Sequence, residues 1–172
     1  PHLFQHRGQA IHGIYREKTN YSDLDVNFYA ADVATFKKQR ESVGAVDLRH
    51  NTTVGDDWQV QTRLVRTSQD TFLRRYKFND SSSLKSEFTA NRIKNDSYYL
   101  VEASDLQGLS ATDTPDKEPT VLPHIYYENY RDGYRDGQTI RTEVSAIQLD
   151  NDEGHDLVRW SSDISLQEEY SL

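Results

Sequence analysis

At 172 residues without a single Cys, the chain is sized for one β-rich domain over 1–172, and it excludes disulfides, thiolate metal sites and cysteine nucleophiles. A formal net charge of -8 opposes the phosphate attraction behind general nucleic-acid binding and argues against a nucleic-acid partner. No apolar run approaches the about 18 residues of a membrane helix and no signal peptide is visible, so no membrane partner is expected and the compartment stays open.

Pro1 is a candidate general base if its secondary amine is free. Leu24, Val26, Phe28 and Ala30 alternate as a strand does, while Val26, Tyr29, Val33 and Phe36 fall at helical spacing. We read a strand over 24–30 passing into a short helix near residues 32–42. Asp32 is its cap, Lys37, Lys38 and Arg40 sit toward its C-terminal end, and Gly44 is its stop. A continuous helix from Ser22 is the alternative.

Period-two alternation then takes over. Trp58, Val60, Thr62 and Leu64 point one way and Gln59, Gln61 and Arg63 the other. Phe72, Arg74, Tyr76 and Phe78 repeat the pattern, so 57–67 and 71–79 read as a hairpin about a polar turn. Residues 86–94 and 97–103 form a second hairpin through Asn95-Asp96, residue types that tolerate a left-handed backbone. A long loop near 104–120 follows, holding Gly108, Pro115 and Pro119. The tandem Tyr130-Arg131-Asp132-Gly133 and Tyr134-Arg135-Asp136-Gly137 marks a wide turn, and 138–149 with 156–166 makes a third hairpin. The fold class these elements predict is mainly β, an antiparallel β-barrel or β-sandwich with one short helix and one long loop.

Charge is segregated along the chain. Residues 1–101 carry 15 basic against 12 acidic side chains, and residues 102–172 carry 5 against 16. Arg63, Arg66, Arg74, Arg75 and Lys77 form a basic cluster interleaved with Tyr76, and Tyr130, Arg131, Tyr134 and Arg135 add an aromatic-cationic patch of interface type. Both are candidate partner-binding surfaces, with Asp150, Asp152, Glu153 and Asp156 as the complementary acidic face.

Catalytic signals are weak. The string from Asp150 to Asp156 alternates oxygen ligands but fails the EF-hand spacing, no HExxH occurs, and neither a nucleophile elbow nor a phosphate loop is present. No metal, cofactor or catalytic residue is therefore assigned. The leading expectation is a non-enzymatic structural or assembly protein that packs with copies of itself or with partners, as virion, phage or appendage components do. The alternatives are a β-barrel holding a small ligand and an enzyme using carboxylate, His or Pro1 chemistry.

Overall fold

The computed structural model describes residues 2–4, 8–34, 40–55, 57–109, 120–150 and 155–168. Ten strands run in chain order: β1 (His2–Phe4), β2 (Gly8–Lys18), β3 (Ser22–Ala34), β4 (Arg40–Val54), β5 (Trp58–Thr67), β6 (Ser83–Lys94), β7 (Ser97–Gly108), β8 (Thr120–Asp132), β9 (Gln138–Asp150) and β10 (Leu157–Glu168). They form one antiparallel sheet in the order β1 to β10, and among the described residues each pairs only with its sequence neighbours. The mainly β expectation holds. Among the described residues no ladder joins β1 to β10, so the sheet is an open one.

The register is staggered. One row of paired residues runs Lys18, Asp23, Asn51, Gln61, Thr89, Glu102 and His124 across β2 to β8. Lys18 ends its strand in that row, whereas Val54 lies three residues beyond Asn51, Lys94 five beyond Thr89 and Asp132 eight beyond His124. A steady offset of this kind accompanies the strand tilt of a curling or barrel-forming sheet. A bulge between Val121 and His124, against Glu102 and Ser104 of β7, adds a local bend.

The connections differ at the two ends of the sheet. At one end the strands meet in tight turns, where Asn95 (φ 50°), Gly55 (φ 63°) and Gly137 (φ 79°) take the left-handed conformation that their residue types permit. At the other end lie the longer connections, including residues 68–82 with the one-turn helix α1 (Phe72–Arg75). The core sits here. Ala10, Ala31, Val43 and Val65 of the sheet bury against Phe72, Leu73 and Tyr76 of the 68–82 segment, joined by Leu84 and Leu109. The segment thus folds over one face of the sheet.

Several expectations fail. The described part of 32–42 is strand and not the expected helix: Asp32 lies in β3 and residues 40–42 begin β4, while 35–39 fall outside the described residues. Paired strands on both sides satisfy the backbone of this segment and set Val26 and Phe28 on one face and Tyr29 and Ala31 on the other, so tertiary pairing decides the ambiguous periodicity. The 57–67/71–79 hairpin is also absent. β5 pairs with β4 and β6, and Phe72 to Arg75 coil into a helical turn that buries the adjacent Phe72 and Leu73 together. The loop is shorter than expected, since β7 extends through 104–108, while 110–119 lie outside the described residues. The hairpins 86–94/97–103 and 138–149/156–166 form as read, with Lys94 opposite Ser97 and Leu157 opposite Leu149.

Candidate functional site

Successive side chains of a strand leave opposite faces, and residues paired in register share a face, so the ladder sorts every strand into two surfaces. One surface carries Val26 and Phe28 of β3, Val46 and Leu48 of β4, Val60 and Leu64 of β5, Val101 of β7, Ile125 of β8, Val144 of β9, and Trp160 and Ile164 of β10. It is apolar yet uncovered: Phe28, Leu64, Ile125, Val144, Trp160 and Ile164 are all exposed. Contiguous exposed apolar surface of this extent needs a partner medium.

The polar side chains on this surface follow a rule. Among the described residues, its Asp, Glu, Lys and Arg side chains stand within three residues of a strand end: Glu17, Arg92, Lys94, Arg131 and Glu168 toward the turns, Asp32, Arg66, Asp105 and Asp150 toward the longer connections. His50 lies deeper and is held by the Ser22 hydroxyl at 2.8 Å. Near the turns, Trp58, Tyr99 and Tyr127 form a row with ring centroids 6.3 and 5.0 Å apart, and the Arg92 guanidinium lies 6.0 Å from the Trp58 ring.

The opposite surface is charged through the middle of the strands, and its charges pair across the ladder. Arg16 donates to Asp25 at 2.7 Å, and Arg141 donates to Glu128 at 2.5 Å and to Glu143 at 2.6 Å. The Tyr130 hydroxyl donates to Glu128 at 2.9 Å, while His124 bridges Glu102 at 3.1 Å and the Ser145 hydroxyl at 3.4 Å. Toward the longer connections the 68–82 segment covers this surface, with Tyr29 between the stacked ring of His12 at 4.5 Å and Phe78 at 4.6 Å.

One seam is built differently. The β5–β6 ladder stops at Arg63 and Glu87, although both strands continue. Beyond that point side chains replace the missing backbone partner. The Val65 N–H donates to Ser86 Oγ at 3.1 Å and the Ser86 hydroxyl donates back to the Val65 carbonyl at 3.1 Å. The Gln107 amide does the same for Thr67, accepting from its N–H at 3.0 Å and donating to its carbonyl at 2.9 Å. An Arg66–Asp105 ion pair spans the same gap on the apolar side.

The residues singled out in the sequence do not assemble into one surface. Arg63 is on the charged face and Arg66 on the apolar face, bound to Asp105. Arg74 and Arg75 are in α1, Lys77 follows it with φ 57°, and Tyr76 is buried at 1% exposure, which removes it from any docking surface. Tyr130 and Arg131 lie at the turn end of β8, Arg131 donating to Asn129 at 2.9 Å. Tyr134, 99% exposed, and Arg135 occupy the turn itself. The two candidate patches therefore stand at opposite ends of the sheet. Asp150 ends β9 and Asp156 precedes β10, whereas Asp152, Glu153 and Pro1 lie outside the described residues. Sequence reading missed Asp47, Arg49, Glu128, Arg141 and Glu143. Their signal was a charge at every second position inside otherwise apolar strands.

A continuous antiparallel meander, uncharged through the middle of one face and charge-paired on the other, with tight turns at one end, has the construction of a transmembrane β-barrel wall. Residues 41–169 match the family model of LptD: LPS transport system D, and the chain belongs to that family. No curated protein matches it. Membership in a lipopolysaccharide-transport family overturns the expectation of a virion-like or appendage-like self-assembling structural protein. Charges expected to attract a second copy are in part held within this sheet: Arg66 of the basic cluster pairs with Asp105, and Arg141 pairs with Glu128 and Glu143. A protein assembly remains consistent, because the family works with other components of the Lpt system. No helix among the described residues is long and apolar enough to cross a membrane, a fact that leaves crossing by strands untouched.

Proposed function

We propose that this sheet is part of the wall of a lipopolysaccharide-transporting barrel. Its apolar face lies against membrane lipid and its charged face borders a water-filled passage for the saccharide. The observation that carries the reading is the distribution of charge: confined to strand ends on one face, spread through mid-strand on the other. Hydrocarbon tolerates no unpaired ionic group at mid-depth, and headgroups and water accept them at both borders. The strands, 10 to 15 residues long from β2 onward, meet the about 9–11 that a tilted membrane strand needs. The Trp58–Tyr99–Tyr127 row with Arg92 sits where an interfacial aromatic belt belongs. In this reading the expectation of no membrane partner is replaced, and the outer edge of β10 is paired in the bilayer, because lipid accepts no open strand edge.

The two tryptophans, Trp58 and Trp160, both stand on the apolar face. Refolding the chain into vesicles whose acyl chains carry bromine tests the assignment. Quenching of both indoles by the brominated chains is the expected result; emission insensitive to bromine refutes it.

A further inference from the structure

On the charged face, under the inward-folded 68–82 segment, lies a cavity of about 280 Å³. Its sheet wall holds Asp47 and Arg49 of β4 and Arg63 of β5, and its cover holds Phe78 and Asn79. Arg49 and Arg63 are direct register partners, so two guanidinium groups share one position across the ladder. Like charges placed opposite each other destabilise a sheet unless something neutralises them. Arg49 faces Asp25 and Arg63 faces Glu87 across their other ladders, but Arg16 holds Asp25 and Lys85 holds Glu87, so neutralisation from the protein is incomplete. Arg49 reaches Asp47 Oδ2 only at 3.5 Å, and among the described residues the Arg63 side chain has no hydrogen bond or ion pair. Asp47 Oδ1 is buried with no donor. The cavity therefore offers two cations wanting an anion and, beside them, a carboxylate oxygen wanting an O–H or N–H.

We propose that this cavity is a subsite for a phosphorylated sugar unit, with the phosphate held between Arg49 and Arg63 and a sugar hydroxyl donating to Asp47 Oδ1. Guanidinium forks match phosphate oxygens, and an inorganic anion without a hydroxyl, such as sulfate, leaves the Asp47 oxygen unsatisfied and repelled. The Arg49 side chain is 60% exposed, so the site opens to the charged side of the sheet. Its volume lies just below the about 300 Å³ at which pockets for drug-sized ligands begin, which suits one saccharide unit. The inference rests on the reading of this face as the saccharide's passage.

The test is calorimetric titration of the full chain, refolded in detergent micelles, with glucose 1-phosphate, sulfate and methyl glucoside. Glucose 1-phosphate binds more tightly than sulfate, and methyl glucoside does not bind. Arg63→Gln and Arg49→Gln each weaken glucose 1-phosphate by at least about tenfold, the loss of one charge-assisted contact. Arg63→Lys, which keeps the charge without the fork, weakens binding less than Arg63→Gln does, and Arg159→Gln, on the same face at β10, leaves it unchanged. Asp47→Ala strengthens sulfate binding and narrows the preference for the sugar phosphate. Absence of binding, equal affinity for sulfate and glucose 1-phosphate, or indifference to both Arg→Gln changes overturns the site. Bromine quenching on the same protein separates the two readings: quenching without sugar-phosphate binding removes the subsite and leaves the membrane wall, whereas binding without quenching removes the wall.

Discussion

Placing an arginine at Leu48 tests the membrane face quantitatively. Leu48 stands on the apolar surface between its register partners Val26 and Leu64. It is eight residues from Arg40 and six from Val54, the two ends of β4. With a rise of about 3.3 Å per residue and a tilt of about 40°, those separations are about 20 and 15 Å along the membrane normal. Leu48 thus sits near the middle of a hydrocarbon core of about 30 Å. Leu48→Arg costs about 2–4 kcal/mol there, a factor of roughly 30 to 1,000 in the folding equilibrium. Val54→Arg, on the same face at the strand end, costs about 0–1 kcal/mol. Gln61→Arg, on the charged face, stays within about 0.5 kcal/mol. Equilibrium denaturant titration in lipid vesicles, followed by tryptophan emission, measures all three. A water-soluble core penalises arginine according to local packing, whereas a bilayer penalises it according to depth. Equal costs for Leu48→Arg and Val54→Arg refute the assignment.

Three further perturbations probe the parts that shape the wall. Ser86→Ala strips both backbone partners from buried Val65 and costs about 1–3 kcal/mol, with the Val65 amide exchanging faster while Leu64, laddered to Leu48, keeps its protection. Phe72→Ala opens a cavity where a fully buried ring stood and costs about 3–5 kcal/mol; protease cleavage within 68–82 rises while the strand circular dichroism stays intact. Arg141→Ala leaves Glu128 and Glu143, direct register partners, facing each other without their shared cation, so the variant's denaturation midpoint falls at low salt and recovers as salt is added.

Much of the sheet was legible because alternation is a local property. Trp58, Val60, Thr62 and Leu64 do share one face, and Asn95-Asp96 does close a hairpin. What alternation does not encode is the medium on the apolar side. A mean hydropathy of -0.87 suggests water everywhere, because polar connections and a charged inner face outweigh the thin apolar stripe contributed by every second residue. The 72–78 stretch misled for a related reason: with Phe72, Arg74, Tyr76 and Phe78 spaced by two, only the burial of adjacent Phe72 and Leu73 shows that the segment turns inward. The Arg49–Arg63 pairing was hidden as well. Their 14-residue separation becomes a contact only once the β4–β5 register is fixed.

The strict neighbour-to-neighbour pairing has a consequence for how the sheet is made. Every ladder closes between segments adjacent in the chain, so no strand has to wait for a distant part of the polypeptide before finding its partner. Loop-closure entropy is met in small, repeated steps, and each hairpin presents a finished edge on which the next can form. Growth of this kind is vectorial. It also makes the hairpin the natural unit of change: two strands and their turn can be gained or lost in ancestry while the neighbours rejoin in the same antiparallel sense.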